Sequence, residues 1–154
     1  MAASFLLNNS DFAYPLAVAT VGTYAVLGYA TTKVSAARKA AKVDYPAAYA
    51  DNAVAERDIK AKQFNCAQRA HMNTLENLPL FLISLLHSSL YHPKYAAGAG
   101  LFWIFGRLAY ISGYSTGEPK KRMNGSFQYL GFLPLFGYSI FKAVTALPVV
   151  QQFL

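Results

Sequence analysis

The stretch from Phe64 to Leu90 most constrains what this chain can fold into. Its first half, FNCAQRAHMNTLENLP (64–79), is strongly polar and runs straight into the apolar Leu78–Leu86. On a helix Asn65, Arg69, Asn73 and Glu76 fall at i, i+4, i+8 and i+11 and share one face. Phe64, Ala67, Ala70 and Leu75 around them are apolar or small. Taken alone, Leu78–Leu90 has 13 residues. That is too few for a hydrocarbon core of about 30 Å at a rise of about 1.5 Å per residue. Either the segment is re-entrant or the polar stripe itself lies at membrane depth. We adopt the second reading. It predicts one helix over 64–90 with Pro79 tolerated as a kink, and it puts Arg69 and Glu76 inside the bundle.

Composition agrees with a membrane setting. Charged residues make up 14% of the 154, against about 25% in an average soluble protein, while 55% are hydrophobic. So few charges cannot clothe a soluble surface, and the apolar residues come in long runs. The net charge of +7 is gathered in two segments, which favours membrane orientation over a nucleic-acid stripe. A single Cys66 excludes a disulfide framework or a multi-cysteine metal site within the chain. His71, His87 and His92 do not cluster with acids, and no metal is expected.

Read in order, the chain predicts four helices at about 12–43, 64–90, 95–114 and 126–147. They form an all-α, four-transmembrane-helix bundle in one domain over 1–154. Met1–Asp11 has no Lys or Arg and so lacks the basic region of a secretory signal. Phe12–Thr32, starting near Pro15, is a retained membrane helix that continues through Ser35–Val43 and stops at Asp44-Tyr45-Pro46. Asp51–Lys62 is a solvated loop or short helix. Tyr91–Lys94 is an interfacial turn that places His87 and His92 at or near the non-cytoplasmic interface. On the third helix Gly98, Gly100, Gly106 and Gly113 offer close approach, and Arg107, Tyr110 and Tyr114 share a face. Pro134 kinks the fourth helix and Pro148 ends it. Seven Lys and Arg lie in the first connection before Phe64, three in the last, one in the middle turn and none at the N-terminus. The positive-inside rule then makes the first and last connections cytoplasmic.

That topology gathers cations: Arg38, Arg69, Arg107 and either Lys121 or Arg122. Glu76 is the only nearby intramembrane acid, with Asn65, Gln68, Asn73, Tyr110 and Tyr114 as neutral partners. Intramembrane charges are costly unless paired or facing a cavity. Two readings stay open from spacing alone. Glu76 pairs with Arg69 or Arg107 to fix helix packing, or the excess of cations waits for an anionic, carboxylate-bearing ligand. No phosphate loop, GxSxG, HExxH or CxxC motif competes. Cys66 reads as small packing material and His71 as a polar contact on the helix flank. A channel or transporter would need a polar path across the membrane, and Leu78–Leu86 offers only Ser84.

FNCAQRAHMNTLENLP (64–79) resembles the second-helix signature of the MAPEG family, membrane-associated proteins in eicosanoid and glutathione metabolism. GRLAYISGYSTGEPKKR (106–122) and VSAARKAAKVDYP (34–46) look like the microsomal glutathione transferase 3 branch. The resemblance implies a homotrimer of four-helix protomers with glutathione, as co-substrate, bound between subunits near the cytosolic face. It implies conjugation of glutathione to lipophilic electrophiles, including leukotriene-type epoxides, and peroxidase activity on lipid hydroperoxides. It also implies residence in the endoplasmic reticulum, with the mitochondrial outer membrane and nuclear envelope as further sites. By motif position Arg38, Arg69, His71, Asn73, Glu76, Arg107, Tyr110 and Tyr114 would bind glutathione, Glu76 taking its ammonium. The thiol-activating cation would be Arg122 or, one residue away, Lys121. Asn77 stands where leukotriene synthases carry a tyrosine, and His71 where they carry glutamine. The alternative within the family is a non-catalytic lipid- or glutathione-binding scaffold.

Overall fold

The structure is a computed structural model that describes residues 10–152. Residues 1–9, and with them most of the segment read as lacking a secretory signal, lie outside the described residues. Among the described residues all regular structure is helical. Helix α1 spans Ser10–Ala41, opens with a 3₁₀ turn and widens to a π-helical stretch at Val18–Gly22. It is the one described helix that is long and apolar enough to cross a membrane. Helix α2 is Asn52–Arg57, α3 is Ile59–Ser89 and α4 is Pro93–Tyr114. A 3₁₀ segment, Pro119–Gly125, leads into α5, Gln128–Thr145, and α6 is Pro148–Gln151.

Several boundaries differ from those expected, each for a local reason. Helix α1 stops before Asp44-Tyr45-Pro46, because Lys42 turns left-handed (φ 53°, ψ 40°). The Lys42 and Val43 N–H groups then return to the Lys39 and Arg38 carbonyls at 3.3 Å. Helix α3 begins five residues earlier than 64, where the Asp58 carboxylate accepts the Lys60 N–H at 2.8 Å. Pro148 opens α6 instead of ending α5, as expected of a proline at a first helical position.

Helices α3 and α4 lie at the centre, with α1 and α5 packed against both. Phe81 of α3 and Trp103 of α4 stack with centroids 3.8 Å apart and planes 8° from parallel. Leu85, Ile111 and Leu135 pack in the same core. A second cluster, Ala50, Ala61 and Phe64, joins the α1–α2 connection to the start of α3. At the other end of α3, His87 Nδ1 lies 2.8 Å from Ser139 Oγ, and Tyr91, His92 and Tyr138 form a ring cluster. The Lys142 ammonium sits 4.8 Å from the Tyr91 ring centre.

Small residues set how closely α4 approaches α5, the 3₁₀ segment and α1. A Cβ on Gly106 would stand 2.5 Å from the Gln128 Cβ, and one on Gly113 or Gly131 would strike the carbonyl of Lys121 or Ala99. A Cβ on Gly100 would meet Val18 at 2.9 Å. Gly98 does not share this role: no atom of the described residues lies within 4 Å of its would-be Cβ, because it lines an open groove with Tyr14 and Ala17. Overpacking of a tight contact costs about 1–3 kcal/mol. Gly106→Ala is therefore expected to lower the melting temperature of the purified protein. Gly98→Ala should leave it unchanged or raise it, since alanine favours a helix by up to about 1 kcal/mol over glycine. Thermal melts of the two variants in one detergent check the pair.

Candidate functional site

Arg107 is buried in the middle of the molecule at 2% exposure. Its guanidinium donates to Asn73 Oδ1 at 2.8 Å and lies 5.2 Å from the Trp103 ring centre and 5.0 Å from that of Tyr110. No carboxylate among the described residues pairs with it. Its Nε is buried without a hydrogen-bond partner among the described residues. Asn73 passes the network on, its Nδ2 reaching Glu76 Oε2 at 3.5 Å. Glu76 is gripped by Arg69 through two N–H donors at 2.8 and 3.4 Å. A line of side chains thus runs Arg107, Asn73, Glu76, Arg69 across the α3–α4 contact, and the acid it contains is already engaged.

The end of this line at Arg69 is not inside the bundle of one chain. Both Arg69 and Glu76 side chains are 48% exposed. Helix α3 buries Ala67, Ala70, Thr74 and Phe81 against its neighbours. Positions 69 and 76 lie about 100–120° round the helix from Ala70. The polar stripe therefore borders the buried face instead of occupying it. Asn65 leaves the stripe altogether: its amide accepts the Ala50 N–H at 2.8 Å and donates to the Ala50 carbonyl at 3.0 Å. It clamps the loop before α2.

Next to Asn73 a cleft of about 330 Å³ is lined by Tyr110, Arg122, Ser126, Gln128 and Tyr129. Tyr110 meets Tyr114 edge to face at 5.7 Å, and the Arg122 guanidinium lies 5.8 Å from the Tyr114 ring. Lys121 turns to Glu118 at 2.9 Å. Arg38 stands apart from this cleft. Its guanidinium is held between the rings of Tyr45 (4.3 Å) and Phe64 (4.5 Å), and it donates to the Ala47 carbonyl at 2.8 Å. His71 is half-buried on the flank of α3 with no side-chain hydrogen bond among the described residues. Cys66 is buried in the core.

With this geometry established, comparison with known proteins decides the family. The sequence model of the MAPEG family matches residues 16–141. The chain belongs to the MAPEG family. Over 74 residues it is also 38% identical to microsomal glutathione S-transferase 2 of Homo sapiens. That match covers 47% of this chain and spans half of the relative's length.

Chemically, this MAPEG site offers guanidinium donors, phenol and hydroxyl groups, and one carboxylate that Arg69 holds. Sequence reasoning missed Ser126, Gln128 and Tyr129. Gln128 and Tyr129 open the last long helix and Ser126 lies two residues before it, where nothing local marks a side chain as facing the site. What buries Gln128 is Gly106, a residue 22 positions away.

The network carries its own test. Asn73→Ala strands the Arg107 donor, and a lost bond to a charged group costs about 1.5–3 kcal/mol. A clear fall in melting temperature is expected. Glu76→Gln should leave the melt nearly unmoved, because an exposed ion pair contributes little.

Proposed function

We propose that this protein is a membrane glutathione transferase whose four long helices span the bilayer, α1 by its own apolar length and α3, α4 and α5 as parts of a packed bundle, and which binds glutathione between the subunits of a homotrimer. The observation that carries the reading is Arg107, a buried guanidinium with no carboxylate partner among the described residues, continuous with Asn73, Glu76 and Arg69 and beside a cleft that holds Arg122. Glutathione supplies what such a set lacks: two carboxylates for guanidiniums and an ammonium for Glu76. The glutathione transferase name of the human relative supports the same ligand. Exposure of Arg69 and Glu76 on the α3 flank supports a site completed by a second copy.

In this reading Arg69, Asn73, Arg107, Tyr110 and Tyr114 bind and orient the tripeptide. Arg38 and His71 contribute from the periphery. A free thiol with a pKa of about 8.5 is mostly protonated at neutral pH, and a fixed guanidinium in a water-poor site favours the thiolate. Arg122 is the better candidate for that role, because it lines the cleft with Tyr110 while Lys121 pairs with Glu118. The thiolate attacks an electrophilic carbon arriving through the lipid. A carbon–sulfur bond forms as the bond to the leaving group breaks and the leaving group departs with its electron pair; in an epoxide the broken bond is carbon–oxygen, and the oxygen stays on the product and takes a proton.

Lipid hydroperoxides are the second substrate class: two glutathiones would be oxidised to the disulfide as the peroxide is reduced to an alcohol and water. Asn77, whose amide donates to the Asn73 carbonyl of its own helix at 2.8 Å, stands where leukotriene synthases carry a tyrosine, and that departure favours general transferase activity over leukotriene synthesis. Segments 34–46 and 106–122 resemble the transferase 3 branch, whereas the human relative bears the transferase 2 name. Glutathione transfer is common to both. Endoplasmic reticulum residence with cytosolic first and last connections completes the proposal.

Arg122→Ala is expected to lower conjugation on the order of 100-fold, the scale of losing one charge-stabilising donor. The ultraviolet absorbance of bound thiolate should vanish with it, and Lys121→Ala should keep both. The opposite pattern in the two variants would reject Arg122 as the activating group.

A further inference from the structure

Gln128 opens α5 at 2% exposure, yet its side-chain oxygen Oε1 has no hydrogen-bond partner among the described residues. Stranding a buried carbonyl is costly, and folded chains ordinarily satisfy such groups. Packing does not call for the amide here. What fills the α4–α5 seam is the Gln128 backbone and Cβ against Gly106, and a methionine of the same length would serve. The residue lies on the wall of the cleft beside Tyr110, Arg122 and Ser126. Arg122 there can only donate, and the neighbouring acceptor, Asn73 Oδ1, is used by Arg107.

We propose that Gln128 is a ligand-binding, specificity-determining residue that accepts a hydrogen bond from a peptide N–H of the bound ligand. The inference rests on the glutathione reading above and adds a contact for the middle of the tripeptide, where it carries no charge. Charge selects the donor. An ammonium beside Arg107 and Arg122 would be repelled, and Glu76 already offers a carboxylate elsewhere in the network. A neutral secondary amide is the donor that a cationic wall tolerates. The terminal amide of glutamine rotates about a soft, two-fold torsion, so its oxygen can turn to the ligand while Cβ stays packed on Gly106. A site that spends a buried acceptor on one N–H discriminates against a ligand lacking it, because the acceptor is left unpaired.

The test is calorimetric titration of purified wild-type protein and Gln128→Met with glutathione and two ester analogues. Each analogue replaces one of the two peptide N–H groups by oxygen. For wild type, one analogue is expected to bind about 10-fold more weakly than glutathione, the scale of a single hydrogen bond. In Gln128→Met that discrimination should fall below about twofold, with a melting temperature equal to or above wild type. Two results overturn the proposal while leaving glutathione binding intact. One is equal binding of glutathione and both analogues by wild type, which needs no variant to fold. The other is discrimination that persists in Gln128→Met. Absence of glutathione binding by wild type overturns this inference together with the function it rests on.

Discussion

Arg107 is buried against Trp103 and Tyr110, hydrogen-bonded to Asn73, and without a carboxylate partner among the described residues. A buried charge is expensive unless it is paired, and aromatic faces with one amide acceptor offset only part of that cost. The arrangement constrains its neighbours. Asn73 must turn its oxygen to α4, which leaves its amide nitrogen for Glu76 and ties the α3 stripe to the α4 face. The glycine just before Arg107 lets α5 come close enough to seal the pocket with Gln128. Register between α3, α4 and α5 is therefore coupled to one guanidinium.

The two ends of α3 are chemically different. Near its start, guanidiniums outnumber the acids and a cleft opens beside them. Near its finish, His87 is satisfied by Ser139, and Lys142 rests on tyrosine rings. The second end closes its own polar groups, as a packed helix junction should. The first end leaves buried polar atoms open on Arg107 and Gln128. Such incompleteness fits a site that a ligand finishes, and the sign of the missing charge is negative.

Much of this was legible in the chain, because helix existence follows from long apolar runs and from turn chemistry at Tyr91–Lys94 and Gly117–Arg122. Placing the polar halves of two helices at one level led to Glu76 being expected to pair with Arg69 or Arg107; Arg69 takes that role, and Arg107 meets Asn73 instead. Four features were not legible. Helical spacing groups Asn65, Arg69, Asn73 and Glu76 on one face, but which part of that face is buried depends on where α1 and α4 pack. Asn65 could be assigned to the Ala50 loop only by a contact 15 residues away in sequence. Gln128 looked like an ordinary polar start to an apolar helix, since Gly106, which buries it, carries no side chain to announce the contact. Left-handed Lys42 likewise ends the helix ahead of the expected stop at Asp44-Tyr45-Pro46, because backbone closure at a helix end tolerates a lysine.

The central claim is that uncompensated guanidinium charge in this site selects a carboxylate ligand. Equilibrium dialysis of the purified protein against glutathione and against its diester, in which both carboxylates are masked, tests it most directly. The account predicts saturable binding of glutathione that weakens as salt is raised, and a diester bound at least about 10-fold more weakly. Equal binding of the two compounds, or binding of neither, would contradict it.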